Sequence, residues 1–184
     1  MELRDHHLYP SRFCLSPNHD KRPDSDDVSL IVLHNMSLPP RIYGGHFIED
    51  LFLNRLDAYA HPYFLGIAQL KVSSHLVIDR SGDVTQYVPF NLRAWHAGVS
   101  CFAGRARCND FSIGIELEGS DEDAFTDIQY QILLPILQLL QQHYPKTAQH
   151  PIMGHEHIAP GRKSDPGPFF DWNRLQQVGL RCLN

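Results

Sequence analysis

Ser29-Leu30-Ile31-Val32-Leu33-His34 is the stretch on which the fold turns. Four apolar residues in succession read as a strand buried on both faces, because a half-exposed strand would alternate. A strand of that kind needs cover on two sides, which points to an α/β chain. His34 closes the run. In open α/β sheets ligands gather at the carboxyl ends of strands, so we read His34 as functional rather than as a core histidine.

A second strand confirms the pattern and adds chemistry. Ser112-Ile113-Gly114-Ile115-Glu116-Leu117-Glu118-Gly119 alternates with period two. Ile113, Ile115 and Leu117 share one face; Gly114, Glu116 and Glu118 share the other. A carboxylate in such a strand is costly to bury unless it is paired or near a cation, which makes Glu116 a candidate acid or base. Glu118, close to the strand end, is expected to be solvated. Gly114 leaves room for something to approach the sheet.

Around these strands, residues 74–78 and 84–88 flank Arg80-Ser81-Gly82-Asp83 and read as a hairpin. Phe47, Ile48, Leu51 and Phe52 fall at helical spacing and predict a helix over 46–59, which Pro62 stops by forcing His61 out of the α region. Residues 64–70 read as a short helical turn. Thr126-Asp127-Ile128-Gln129 has the pattern of a capping box. The helix it opens places Ile128, Ile132, Ile136, Leu139, Leu140 and His143 near one face. Pro135 should bend that helix and Pro145 should end it. A last helix is expected over 171–178. Residues 1–27, interrupted by Pro10, Pro17 and Pro23, read as an irregular polar extension wrapped over the domain. The fold class is therefore α/β, one domain over residues 1–184, with a mixed central β-sheet flanked by helices.

Composition narrows the class. The chain has 184 residues, enough for one full core. A formal charge of −5 argues against a nucleic-acid surface, where a basic stripe would be expected. The polar start Met1-Glu2-Leu3-Arg4-Asp5 lacks the apolar core of a signal peptide. No run reaches the ~18 apolar residues of a membrane span. A cytoplasmic location is expected on these grounds. Cys14, Cys101, Cys108 and Cys182 show no CxxC spacing and read as reduced thiols, with Cys101 and Cys108 close enough to pair only under oxidation. Twelve histidines is high for this length and keeps metal binding in view.

The densest chemistry lies at Gly154-His155-Glu156-His157-Ile158-Ala159-Pro160-Gly161-Arg162-Lys163-Ser164-Asp165-Pro166-Gly167-Pro168. Gly and Pro make this a loop rather than a helix. Neutral imidazole and carboxylate both suit a borderline metal such as zinc. The spacing matches neither a zinc finger nor an HExxH helix. On its own the stretch leaves open which of its histidines and acids take part, or whether they are simply solvated. Ala94-Trp95-His96-Ala97-Gly98 is a second notable loop, whose Trp is either a lid on the core or a flat face for a sugar or peptide.

Val32-Leu33-His34-Asn35, Ala94-Trp95-His96-Ala97-Gly98, Ser112-Ile113-Gly114-Ile115-Glu116-Leu117 and the 154–168 stretch occur in this order. Together they resemble the zinc-dependent N-acetylmuramoyl-L-alanine amidases, the family that includes phage lysozyme-type amidases and peptidoglycan recognition proteins. Cys108-Asn109-Asp110-Phe111-Ser112, Glu118-Gly119 and Asp165-Pro166-Gly167-Pro168 resemble its cytosolic branch, which acts on anhydromuramyl peptides in cell-wall recycling. The resemblance runs from about residue 10 to residue 175.

That resemblance implies Zn2+ as cofactor, held by His34, His155 and Asp165, with His157 left outside the ligand set. It implies Glu116 as the base and Lys163 as the group facing the oxyanion. The catalytic Tyr of phage-type members falls near Ser74, which cannot do a phenol's work; Tyr63 is a possible substitute. Asn35, Trp95 and Arg107 are expected to orient a muropeptide substrate. The implied reaction is hydrolysis of the amide between the lactyl group of (anhydro-)N-acetylmuramic acid and L-alanine. A wall-active amidase outside the membrane and a non-catalytic peptidoglycan-binding module are the alternatives.

Overall fold

The two runs read as buried strands lie side by side in the computed structural model, which describes residues 1–183. The main sheet has six strands: β1 (Arg12–Phe13), β2 (Leu30–Met36), β3 (Leu76–Ile78), β4 (Val84–Gln86), β5 (Ser112–Glu118) and β6 (Met153–Gly154). Their order across the sheet is β6-β2-β5-β3-β4-β1. All neighbours run parallel except the β3–β4 hairpin, so the sheet is mixed, as expected.

Alternation along β2 and β5 divides the core. Ile31, Leu33, Ile113, Ile115 and Leu117 pack with Leu133, Ile136, Leu137 and Leu140 of helix α2 (Asp127–His143). Helix α1 (Phe47–Phe52) precedes α2 in the chain and contributes to the opposite face. There Phe52, Phe64, Val77 and Tyr87 form one cluster, and Leu30, Val32, Ala97, Phe111 and Met153 another. Burial on both sides is why residues 30–33 of β2 are apolar on both faces and show no apolar–polar alternation.

The capping box at Thr126 and Gln129 is formed. The helix runs through Pro135, which sits on the exposed side, where the carbonyl it frees can reach water. Of the expected apolar face, Ile136 and Leu140 are buried, Ile132 and Leu139 are half-buried, and Ile128 and His143 are exposed; Tyr130, Leu133 and Leu137 complete the buried face.

Helix α1 is shorter than the expected 46–59. Asn54 adopts a left-handed backbone at φ 59°, and its side chain exchanges hydrogen bonds with Asn18 at 3.0 Å. Asn tolerates that conformation better than most residues, so the helix stops there.

Residues 1–27 are irregular only in part, being interrupted by four short strands. Glu2–Arg4 pairs with His7–Tyr9, β1 joins the main sheet, and His19–Lys21 pairs with Leu92–Ala94. These strands are two or three residues long, too short to show a period. Arg22 then anchors the segment. Its buried guanidinium donates to the carbonyls of Phe90, Asn109, Asp110 and Ser112 at 2.8–3.3 Å, while burial pushes its pKa down to about 10.

Candidate active site

Three parallel strands deliver the site. β5 and β2 are in register so that Glu116 lies opposite His34. Neighbouring residues of paired strands share a face, which sets the carboxylate and the imidazole side by side on the face away from α2. β6 runs parallel to β2 on its other side and hands the chain to His155. His155 opens the single helical turn α3 (His155–Ile158), where a loop was expected. The turn forms because the Gly154 N–H donates to His157 Nδ1 at 2.8 Å, capping it despite the surrounding Gly and Pro. His157 is therefore occupied as a cap.

His34 Nδ1, His155 Nδ1 and Asp165 Oδ2 converge. The separations are 3.0 Å between the two histidines, 3.0 Å from His34 to Asp165 and 3.1 Å from His155 to Asp165. Tetrahedral zinc with bonds of ~2.0–2.1 Å spaces its donors about 3.3 Å apart. Among the described residues this is the one cluster of His, Cys, Asp or Glu with metal-binding geometry. The donor chemistry fits as well. His155 Nε2 lies 3.1 Å from the Ala97 carbonyl, which can only accept, and 3.3 Å from Arg162 Nη2, whose two hydrogens go to the Ala97 and Val99 carbonyls at 2.7 and 2.6 Å; an Nε2–H directed at Ala97 leaves Nδ1 a bare lone pair. A lone pair aimed at a carboxylate calls for a cation between them.

Electrostatics agree with a site built for one. Burial, the largest cause, pushes His34 down to about 4 against the pull of the Asp165 carboxylate, so the folded ring is neutral and able to ligate. Burial also pushes Glu116 up, with Asp165 adding to the shift and Lys163 opposing it. Glu116 is only 5% exposed, and its Oε2 has no hydrogen-bond partner. An unpartnered buried carboxyl oxygen is rare and marks a group kept free for a reacting molecule.

These residues line a cleft of about 580 Å³. Leu38, Tyr63, Ile67, Leu70 and Trp95 give it an apolar wall; Arg41, Asp121, Arg162 and Lys163 give it a charged one. A larger groove of about 790 Å³ lies beyond Glu118, but it holds none of the three converging donors.

The remaining expected residues divide. Lys163 lines the cleft and is exposed. Trp95 lines it too, held by a hydrogen bond from Nε1 to Asp20 Oδ1 at 3.2 Å. Asn35 Nδ2 donates to Asp121 Oδ1 at 2.6 Å and to the Pro166 carbonyl at 3.0 Å, so it braces the loop that carries Asp165. Arg107 does not line the cleft. It is exposed, has a left-handed φ of 62° and pairs with Asp110 at 3.3 Å. Glu118 is buried rather than solvated, accepting from the backbone N–H groups of Gly44 and Arg80. Ser74 is buried and donates to the Leu76 carbonyl, away from the cleft.

One residue was not foreseen. His96 Nδ1 lies 2.9 Å from His34 Nε2. The signal was present in Gly114: a Cβ there would come within 2.4 Å of the His96 ring, so the space that glycine leaves on the sheet is taken by this histidine.

Residues 24–168 match the N-acetylmuramoyl-L-alanine amidase family. The chain is 54% identical over 178 residues to 1,6-anhydro-N-acetylmuramyl-L-alanine amidase AmpD of Citrobacter freundii, covering 97% of this chain and 95% of that protein. It is 52% identical over 176 residues to AmpD of Escherichia coli K12, covering 96% of each. Its fold is similar to the crystal structure of a selenomethionine AmpD derivative, with a TM-score of 0.94 at 53% identity, over 97% of this chain and 99% of the other. It is also similar, with a TM-score of 0.62 at 26% identity, to Escherichia coli AmiD in complex with anhydro-N-acetylmuramic acid-L-Ala-D-γ-Glu-L-Lys, covering 96% of this chain and 62% of that one.

Proposed function

This chain belongs to the N-acetylmuramoyl-L-alanine amidase family and is an amidase of the 1,6-anhydro-N-acetylmuramyl-L-alanine type, acting in peptidoglycan recycling, and we propose that His34, His155 and Asp165 hold the zinc ion it uses. The observation that carries the proposal is the convergence of three donor atoms within 3.1 Å beside the unpartnered oxygen of Glu116.

The bond cleaved joins the lactyl carbonyl to the nitrogen of L-alanine. When bound, zinc supplies a Lewis acid and lowers the pKa of a water toward ~7. Glu116 takes a proton from the attacking water and passes one to the departing nitrogen. The products are then a lactyl carboxylate and a free peptide amine. Its burial suits it to hold a proton between those two events. Lys163, on the wall of the same cleft, offers its ammonium to the charge that develops on the carbonyl oxygen. A preorganised donor of this kind is worth about 3–4 kcal/mol. Trp95 and Tyr63 line the cleft as aromatic walls for the substrate, and Asn35 keeps Asp165 in place by bracing Pro166.

Solved relatives bound to anhydromuramyl peptides support a muropeptide as the substrate. Among the described residues no helix is long and apolar enough to cross a membrane, and a cytosolic place of action follows from the recycling role. A non-catalytic binding module would have no use for a full ligand set and a buried base beside it.

The test is metal analysis of the purified protein together with peptide release from an anhydromuramyl tripeptide. We expect one zinc per chain and free tripeptide, both abolished in His34→Ala and Asp165→Ala. Undiminished zinc content in both variants would remove these residues from the metal site.

A further inference from the structure

We infer that His96 is a positioning residue for the metal centre: the chain His34–His96–Ser112–Cys108 carbonyl fixes His34 in the tautomer that presents a bare Nδ1 to the metal. The inference rests on the proposed ligand role of His34 and adds to it a reason why that ring faces the site in the right state.

The direction of the chain follows from its far end. The Cys108 carbonyl can only accept, and Ser112 Oγ lies 2.6 Å from it, so the hydroxyl proton is spent there. His96 Nε2 lies 3.2 Å from the same Oγ. With its proton committed, Ser112 Oγ acts as acceptor, and His96 carries its proton on Nε2. A neutral His96 then has a bare Nδ1. That atom is 2.9 Å from His34 Nε2 and accepts its proton. His34 is left with a lone pair on Nδ1, the atom that meets His155 and Asp165. Each link dictates the next, beginning from a backbone carbonyl that cannot change its role.

The surroundings hold His96 for this purpose. Asn109 Oδ1 accepts from the backbone N–H groups of both His96 and Ala97, at 3.0 and 2.7 Å, which pins the loop. The ring occupies the space over Gly114 that any side chain would close. The next residue of the loop, Ala97, places its carbonyl 3.1 Å from His155 Nε2, where it accepts an Nε2–H. One loop thus orients both imidazole ligands from behind, the arrangement by which outer partners raise metal affinity.

Two measurements test this. The first is zinc titration of the metal-free protein against a chromophoric chelator. We expect His96→Ala to weaken zinc binding about 10–100-fold. His96→Asn, which restores an acceptor near the Nδ1 position, should recover most of that loss. Gly114→Ala, which removes no hydrogen-bonding group, should weaken binding in the same direction by displacing the ring. The second measurement needs no variant. Long-range proton–nitrogen NMR of the metal-free parent should show both His34 and His96 as neutral rings protonated on Nε2. Zinc affinity of His96→Ala within twofold of the parent overturns the inference, as does a His34 ring protonated on Nδ1. His34→Ala serves as the reference: if it binds zinc as tightly as the parent, the ligand assignment itself fails, separately from the role of His96.

Discussion

Replacing Glu116 by Gln isolates proton transfer from everything else the site does. The two side chains have the same shape, and Glu116 is only 5% exposed on a strand paired along its whole length with β2. Its Oε2 has no partner to lose. Burial already favours the neutral carboxyl in the metal-free protein, so a neutral amide should change folding stability little. Zinc content should be unchanged, because the three converging donor atoms belong to other residues. Turnover should fall by the contribution of a general base, about 10²–10⁴. At 1.36 kcal/mol per decade that is about 3–5 kcal/mol on the barrier. The assay is chromatography of tripeptide released from an anhydromuramyl tripeptide at saturating substrate, with zinc measured on the same sample. A kcat within threefold of the parent at full zinc content would remove Glu116 from the base role. Loss of zinc instead would make it a ligand.

Three further outcomes are expected. His157→Ala should keep zinc and activity but lose about 1 kcal/mol of stability in urea unfolding, the worth of the hydrogen bond that caps Gly154; zinc loss there would mean the wrong histidine was assigned. Arg107→Ala should leave KM within about threefold of the parent because the side chain lies outside the cleft and pairs with Asp110, whereas a tenfold rise would return Arg107 to substrate binding. The metal-free protein should lose stability as pH falls below about 6.5. Burial holds His75 and His96 well below the ordinary histidine value and His34 at about 4. Between those values and about 6.5 the unfolded chain binds more protons than the folded one, so stability declines with falling pH. His157, lowered by burial, adds to this, while Glu116 and Glu156, pushed up by burial, act in the opposite sense, two groups against four. A urea midpoint higher at pH 5 than at pH 7.5 would contradict this balance.

Much of the site was legible because strand period and register carry it. His34 at the end of an apolar run and Glu116 in an alternating strand were singled out from their own residues, and the parallel pairing of β2 with β5 puts them side by side. The choice of His155 over His157 was not legible from spacing, since both lie in the same stretch; it depended on family resemblance. In the structure His157 turns back to cap Gly154, while His155 Nδ1 lies beside His34 and Asp165. His96 was missed because a histidine in a Gly-flanked loop carries no period, and only its fit over Gly114 reveals it. Glu118 was misjudged because a carboxylate at a strand end reads as exposed, whereas the chain brings the Gly44 and Arg80 N–H groups to it. The N-terminal strands escaped notice because pairs of two or three residues, most of them polar, leave no pattern; their cohesion comes from long-range partners such as the carbonyls around Arg22.

The most direct test of the central claim is hydrolysis of a 1,6-anhydro-N-acetylmuramyl tripeptide by the zinc-loaded protein in water enriched with oxygen-18, read by mass spectrometry. We expect one heavy oxygen in the lactyl carboxylate of the sugar product, none in the released tripeptide, and a free amine on its L-alanine. Heavy oxygen in the peptide fragment, cleavage at any other bond, or an intact substrate would contradict the assignment.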